Sequence, residues 1–184
     1  MTELQVFRDG QKRAAFIEPL KDGDAGVIQE LQIMRDIVRY DATQPDLRKF
    51  ILRYVLGKRV RGHDYAGEVR ACFDFAQRGI VYRRDPVGVE RIADLWSALY
   101  ALSPDDEPEG DCVIKSVCLA TCLALLGHYP FFVVMKQSPQ DQTFKHVYVG
   151  VPLNGKKRAL DPTPEETPMG FEAKSFQRVE YPIF

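Results

Sequence analysis

The chain lacks several features that would settle a function class early. It has no long hydrophobic run: the most apolar stretch, Val113 to Leu126, is too short and too interrupted to span a bilayer. Residues 1–20 carry charges throughout and hold no continuous apolar segment, so no signal peptide is expected. Excess charge is missing too. With 25 Lys and Arg against 26 Asp and Glu, the net charge of -1 leaves no global field toward nucleic acid or an acidic membrane. The basic clusters Lys58-Arg59-Arg61, Arg83-Arg84 and Lys156-Lys157-Arg158 read as solvated loops or faces. There are only four cysteines, and no C-x-x-C redox motif. Without a signal peptide they are expected to be free thiols in a reducing compartment, the cytoplasm of the producing cell. No calcium-loop pattern is present. Cys112, Cys118, Cys122 and His128 lack zinc-knuckle spacing, and a helix would turn Cys112 away from the other two thiols. Neither metal nor cofactor is expected.

What is present is one domain's worth of chain. At 184 residues and 45% hydrophobic, it can bury a real core. Asp9-Gly10 between extended pieces, Leu4–Arg8 and Arg13–Leu20, is a hairpin signal. Val27, Ile28, Leu31, Met34, Ile37 and Val38 recur at helical spacing and predict a helix over 24–40. A second helix starts at Pro45 and ends at Gly57; a third, marked by Val69, Cys72, Phe73 and Ala76, ends near Gly79. Ile80-Val81-Tyr82 is a short extended piece. Residues 83–89 read as a loop, 92–102 as a short helix or tight turn, and 103–110 as an acidic loop. After Gly127 the pattern turns to strands: 131–136, then 144–151, then a return strand 157–161 across Asn154-Gly155, a type I′ turn signal. Helices first and strands later make an α+β order. The single domain divides into a mainly helical N-terminal extension (1–64), a core (65–170) and a C-terminal tail (171–184).

The chemistry gathers around Gly110-Asp111-Cys112. Cys112 falls at the first turn of the apolar helix, where unpaired N–H groups and the positive dipole end favour a thiolate of lowered pKa. With Asn154 and Gly155 as turn residues, Asp161 stands opposite Tyr148. His146 lies two positions along the same face, making His146 and Asp161 diagonal neighbours roughly 7–8 Å apart. A thiol, an imidazole and a carboxylate so placed suit nucleophilic attack on an acyl carbon. The sulfur attacks, His146 carries the proton, and Asp161 fixes the tautomer. Backbone N–H groups at the helix start are candidates for one oxyanion donor, and Trp96 or a group in 103–111 for a second. Trp96, Asp111 and Tyr148 are the candidate substrate-binding residues, although Trp96 also fits a core position. The loops 103–111 and 137–143 are expected to border the cleft.

Three segments in order, Gly110-Asp111-Cys112, Lys145-His146-Val147-Tyr148-Val149 and Ala159-Leu160-Asp161-Pro162-Thr163, resemble the signature segments of the transglutaminase-like superfamily, a branch of the papain-like cysteine-dependent folds. Ile80 to Pro86 is similar to that family's approach to its cysteine, and the resemblance covers roughly residues 65–170. It implies a Cys112–His146–Asp161 triad in a cysteine-bearing helix packed on an antiparallel sheet. Val113 and Ile114 stand where many such domains carry acidic residues. The small size and long helical N-terminal part are more similar to stand-alone bacterial or phage-type members than to the large calcium-dependent crosslinking enzymes. The implied activity is acyl transfer on amide bonds of a peptide or protein substrate through a thioester, passed to water or to an amine. The alternative is an inactive copy of the fold serving as a structural or binding module, for example in a phage assembly or virion. No nucleic-acid or membrane partner is expected.

Overall fold

The structure, a computed structural model, describes residues 2–11, 13–58, 60–100 and 107–184. The chain opens with β1 (Glu3–Phe7) and β2 (Phe16–Pro19), the expected antiparallel hairpin, in which Val6 pairs with Phe16. Helix α1 (Asp24–Asp41) follows the predicted stripe: Leu31, Met34, Ile37 and Val38 are buried. Helix α2 (Pro45–Phe50) begins at its proline and continues into a π-helical turn (Ile51–Leu56) that stops at Gly57. Helix α3 (Tyr65–Arg78) is capped by Asp64, whose carboxylate accepts the Gly67 N–H at 2.9 Å. Next come β3 (Val81–Tyr82), β4 (Val89–Ala93), α4 (Leu95–Tyr100), β5 (Glu109–Gly110) and α5 (Cys112–Leu125). The chain ends in β6 (Phe131–Lys136), β7 (His146–Leu153), β8 (Lys156–Leu160) and β9 (Gln177–Pro182).

Helix α5 is the axis of the core. Twelve of its residues are buried, including Lys115, Ser116 and Thr121. Helices α1 and α3 pack on it, and the Val147/Val149/Val151 face of β7 covers another side. Two polar side chains on α5 find partners instead of water. Lys115 Nζ donates to the carbonyls of Gln77 (2.9 Å) and Ile80 (2.5 Å) at the end of α3. Ser116 Oγ donates to the Val147 carbonyl at 3.2 Å. The helix is thereby locked to an element on each side just after Cys112.

The main sheet has the order β8-β7-β6-β9, antiparallel throughout. Asn154 and Gly155 both take positive φ, 52° and 72°, as a type I′ turn requires. Leu153 then pairs with Lys156 and Val149 with Leu160, the register expected from the sequence.

Three segments differ from the sequence reading. Val89 to Ala93, placed across a loop and a helix, is a strand that pairs in parallel with β1 from Glu3↔Val89 to Phe7↔Ala93. Only a five-residue stretch alternates there, too little for its period to stand out. Residues 171–184, expected as a tail, supply β9, which pairs with β6 along six positions. The first residues of the 103–110 loop lie outside the described residues; its end, β5, pairs in parallel with β3. Residues 1–64 supply β1, β2 and α1, and their apolar side chains join the same core cluster as α3, α5 and β7.

Candidate functional site

Cys112 is the first residue of α5, and the local sequence fixes it there. A Cβ on Gly110 would stand 2.5 Å from Ile114 Cγ2, so only glycine lets the chain pass this close under the helix. Asp111 is the N-cap: its Oδ1 accepts the N–H groups of Val113 (2.9 Å) and Ile114 (3.1 Å). The sulfur is thus delivered to a cleft of about 390 Å³ whose walls come from α1, β4, the start of α5 and the start of β7.

His146, the first residue of β7, lines the same cleft. Its Nε2 lies 2.7 Å from Asp161 Oδ2, and Asp161 Oδ1 accepts the Thr163 N–H at 3.0 Å. The carboxylate is therefore oriented on both oxygens. With Nε2 engaged, Nδ1 is the ring nitrogen left for another partner. Among the described residues no hydrogen bond joins Cys112 Sγ to His146. In strand phase His146 belongs with Tyr148, on the face opposite Val147, and the two rings stack with centroids 6.2 Å apart.

The cleft is acidic. Glu30 of α1, Glu90 of β4 and Asp111 all line it. The carboxylates of Asp85, Glu90 and Asp111 lie within 4.8 Å of one another, close enough to repel one another when ionised. Burial, chiefly, and mutual repulsion raise three of these acids, to about 7 for Glu30, about 9 for Glu90 and about 6 for Asp111. The thiol follows the same rule. Burial pushes Cys112 well above its ordinary value, the Asp111 carboxylate adds to this, and the Val147 N–H partly opposes it. The lowered thiol pKa expected from a helix start is not what the site provides: burial outweighs the dipole, and the capping carboxylate adds to it.

The other candidates separate. Asp111 lines the cleft, but its carboxylate is occupied as a helix cap. Tyr148 lies outside this cleft: its hydroxyl donates to Glu172 Oε1 at 2.6 Å, and it lines a second hollow on the outer sheet face. Trp96 packs against Phe50 and Tyr100, at centroid distances of 5.3 and 5.5 Å, and does not line the cleft. Its spacing from Leu95 and Leu99 was the signal for this core position. Thr143, from the expected bordering loop 137–143, does reach the cleft. Glu30 and Glu90 escaped the sequence reading, since a carboxylate on an amphipathic helix or beside an arginine looks like ordinary surface.

Helices and an antiparallel sheet around one core make this a mixed protein of helices and sheets, compatible with the α+β class, with a thiol and an imidazole–carboxylate pair at one cleft. Among solved structures the chain is similar to one described as "a putative protease" from Parabacteroides distasonis ATCC 8503, with a TM-score of 0.51 and 12% identity. The match covers 73% of this chain and 27% of that one, and at such identity it is a likeness of fold alone. No family model and no curated protein matches the chain. Among the described residues no helix is long and apolar enough to cross a membrane.

Proposed function

We propose that this protein is a cysteine-dependent acyl-transfer enzyme of transglutaminase-like fold that acts on amide bonds of a peptide or protein. One observation carries the reading: the 2.7 Å contact between His146 Nε2 and Asp161 Oδ2 at the cleft that Cys112 lines. In the proposed reaction the Cys112 sulfur attacks the amide carbon. His146 takes the thiol proton on Nδ1 and returns it to the leaving amine. Asp161 holds the imidazole tautomer and supports its charge. The resulting thioester goes to water or to a second amine. The fold likeness to a protein described as "a putative protease" is consistent with amide chemistry.

A second reading, an inactive copy of the fold that serves as a structural or binding module, is favoured by two features. The thiol is pushed up, and it makes no hydrogen bond to His146 among the described residues. The two readings separate in alkylation by iodoacetamide, followed by peptide mass spectrometry at all four cysteines. An active enzyme labels first at Cys112, near neutral pH, and loses that preference in His146→Ala. Labelling of Cys112 only as fast as an ordinary thiol would sink the enzyme reading. A peptidase or amine-transfer activity found in a substrate screen should disappear in Cys112→Ala while the melting temperature is kept.

A further inference from the structure

We infer that Glu90 is a catalytic residue of the reaction proposed above, a neutral carboxylic acid that donates a hydrogen bond to the oxyanion formed when Cys112 attacks a carbonyl. The inference rests on that reading of the cleft and supplies the second donor that the sequence left open.

The geometry of the acids comes first. Asp85, Glu90 and Asp111 lie within 4.8 Å of one another, and carboxyl groups that close disfavour one another's ionisation. Their partners decide which one keeps a proton. Asp85 accepts the Arg91 backbone N–H and, at 2.6 Å, Arg91 Nε. Asp111 accepts two N–H groups of α5. Both are held as acceptors by fixed donors. The Glu90 carboxyl has no hydrogen-bond partner among the described residues, so a proton on it displaces nothing.

The charged groups around Glu90 point the same way. Glu30 on α1, Asp85 before β4 and Asp111 before α5 all disfavour its ionisation. Arg91 is the cation bearing on it, and that guanidinium is already directed to Asp85 and, at 3.8 Å, to Glu109. Lys21, Asp22, Lys145 and His146 complete the charged lining of the cleft. Burial then raises Glu90 to about 9, so it carries its proton near neutrality.

Its position gives that proton a use. The N–H groups of Val113 and Ile114 are taken by Asp111, which leaves the start of α5 poor in donors. Glu90 lines the same cleft as Cys112 and is near enough that, once ionised, it acts on the thiol. In the reaction the thiol proton passes to His146 and the sulfur lone pair forms the S–C bond. The carbonyl π pair moves onto oxygen, which accepts the Glu90 O–H. Collapse re-forms C=O and expels the leaving group with its bonding pair. Glu90 keeps its proton throughout.

The test is acylation of the full chain by p-nitrophenyl acetate, read as p-nitrophenolate release and as acetyl mass on the Cys112 peptide. Wild type, Cys112→Ala, Glu90→Gln and Glu90→Ala are compared from about pH 6 to about pH 10. Glu90→Gln keeps a neutral donor and is expected within about threefold of wild type; Glu90→Ala is expected to lose about 100-fold. Wild type should slow as pH rises through about 9, and Glu90→Gln should not. Three outcomes overturn the inference alone: Glu90→Ala as fast as wild type, Glu90→Gln as slow as Glu90→Ala, or wild-type acylation that depends on added Ca²⁺ or Mg²⁺. A wild type with no acetyl on Cys112 overturns the parent reading as well.

Discussion

Cys112 has the dipole of a buried helix behind it and still holds its proton tightly. The cause is local. The residue that caps the helix, Asp111, brings a full negative charge against the sulfur, and the cleft offers little water to screen it. The dipole contributes about half a charge spread over the first turn, less than the carboxylate takes away. Asp111→Asn separates the two effects, because an amide oxygen still accepts the Val113 and Ile114 N–H groups. The variant is expected to alkylate at Cys112 about tenfold faster than wild type near neutral pH, with its melting temperature kept. Iodoacetamide kinetics on the Cys112 peptide check this, and an unchanged rate would show that burial alone holds the thiol up.

At the scale of elements, α5 is held from both sides, and the tie to α3 is an unusual one. Lys115 is fully buried and spends its ammonium on the two carbonyls at the end of α3. Burial lowers it to about 8, so the charged form is costly and is kept by those bonds. Lys115→Met fills the same space and leaves both carbonyls without a donor. It is expected to destabilise the fold by about 1–3 kcal/mol, read by urea denaturation, and to loosen the seat of Cys112.

Element by element, the sequence was most readable where chemistry is local. The Asn154-Gly155 turn set the β7–β8 register, and the register brought His146 to Asp161. Val89 to Ala93 escaped because its partner, β1, is more than eighty residues away and nothing in the strand itself names it. The same holds for β9, whose exposed residues look like a tail until β6 is beside them. The acids Glu30 and Glu90 escaped for a related reason: a carboxylate becomes unusual only when folding gathers others around it.

Across the whole molecule, one buried acid links the N-terminal helices to the rest. Asp41, the last residue of α1, accepts the Leu95 N–H at 3.3 Å and lies near Asp94. Burial, chiefly, and Asp94 raise it from 3.8 to about 7. The folded chain therefore holds a proton that the unfolded chain releases between those values, so stability falls as pH rises through the window. The loss is complete above about 7. Asp41→Asn should remove this dependence, melting about 3–6 °C higher than wild type in mildly alkaline buffer and no higher in acid. Thermal melts across the window check it; parallel curves for the two proteins would refute it.

Among the described residues the main sheet leaves β8 as an open edge, with Lys156, Lys157 and Arg158 exposed on it and Lys157 paired with Glu180 of β9. An unpaired strand is a template for another copy's strand, and a row of like charges is a barrier to such growth. Lys156 and Arg158, which in the sequence were only part of a basic patch, place charge of one sign at that edge, as expected of a strand guarded against ribbon-like polymerisation.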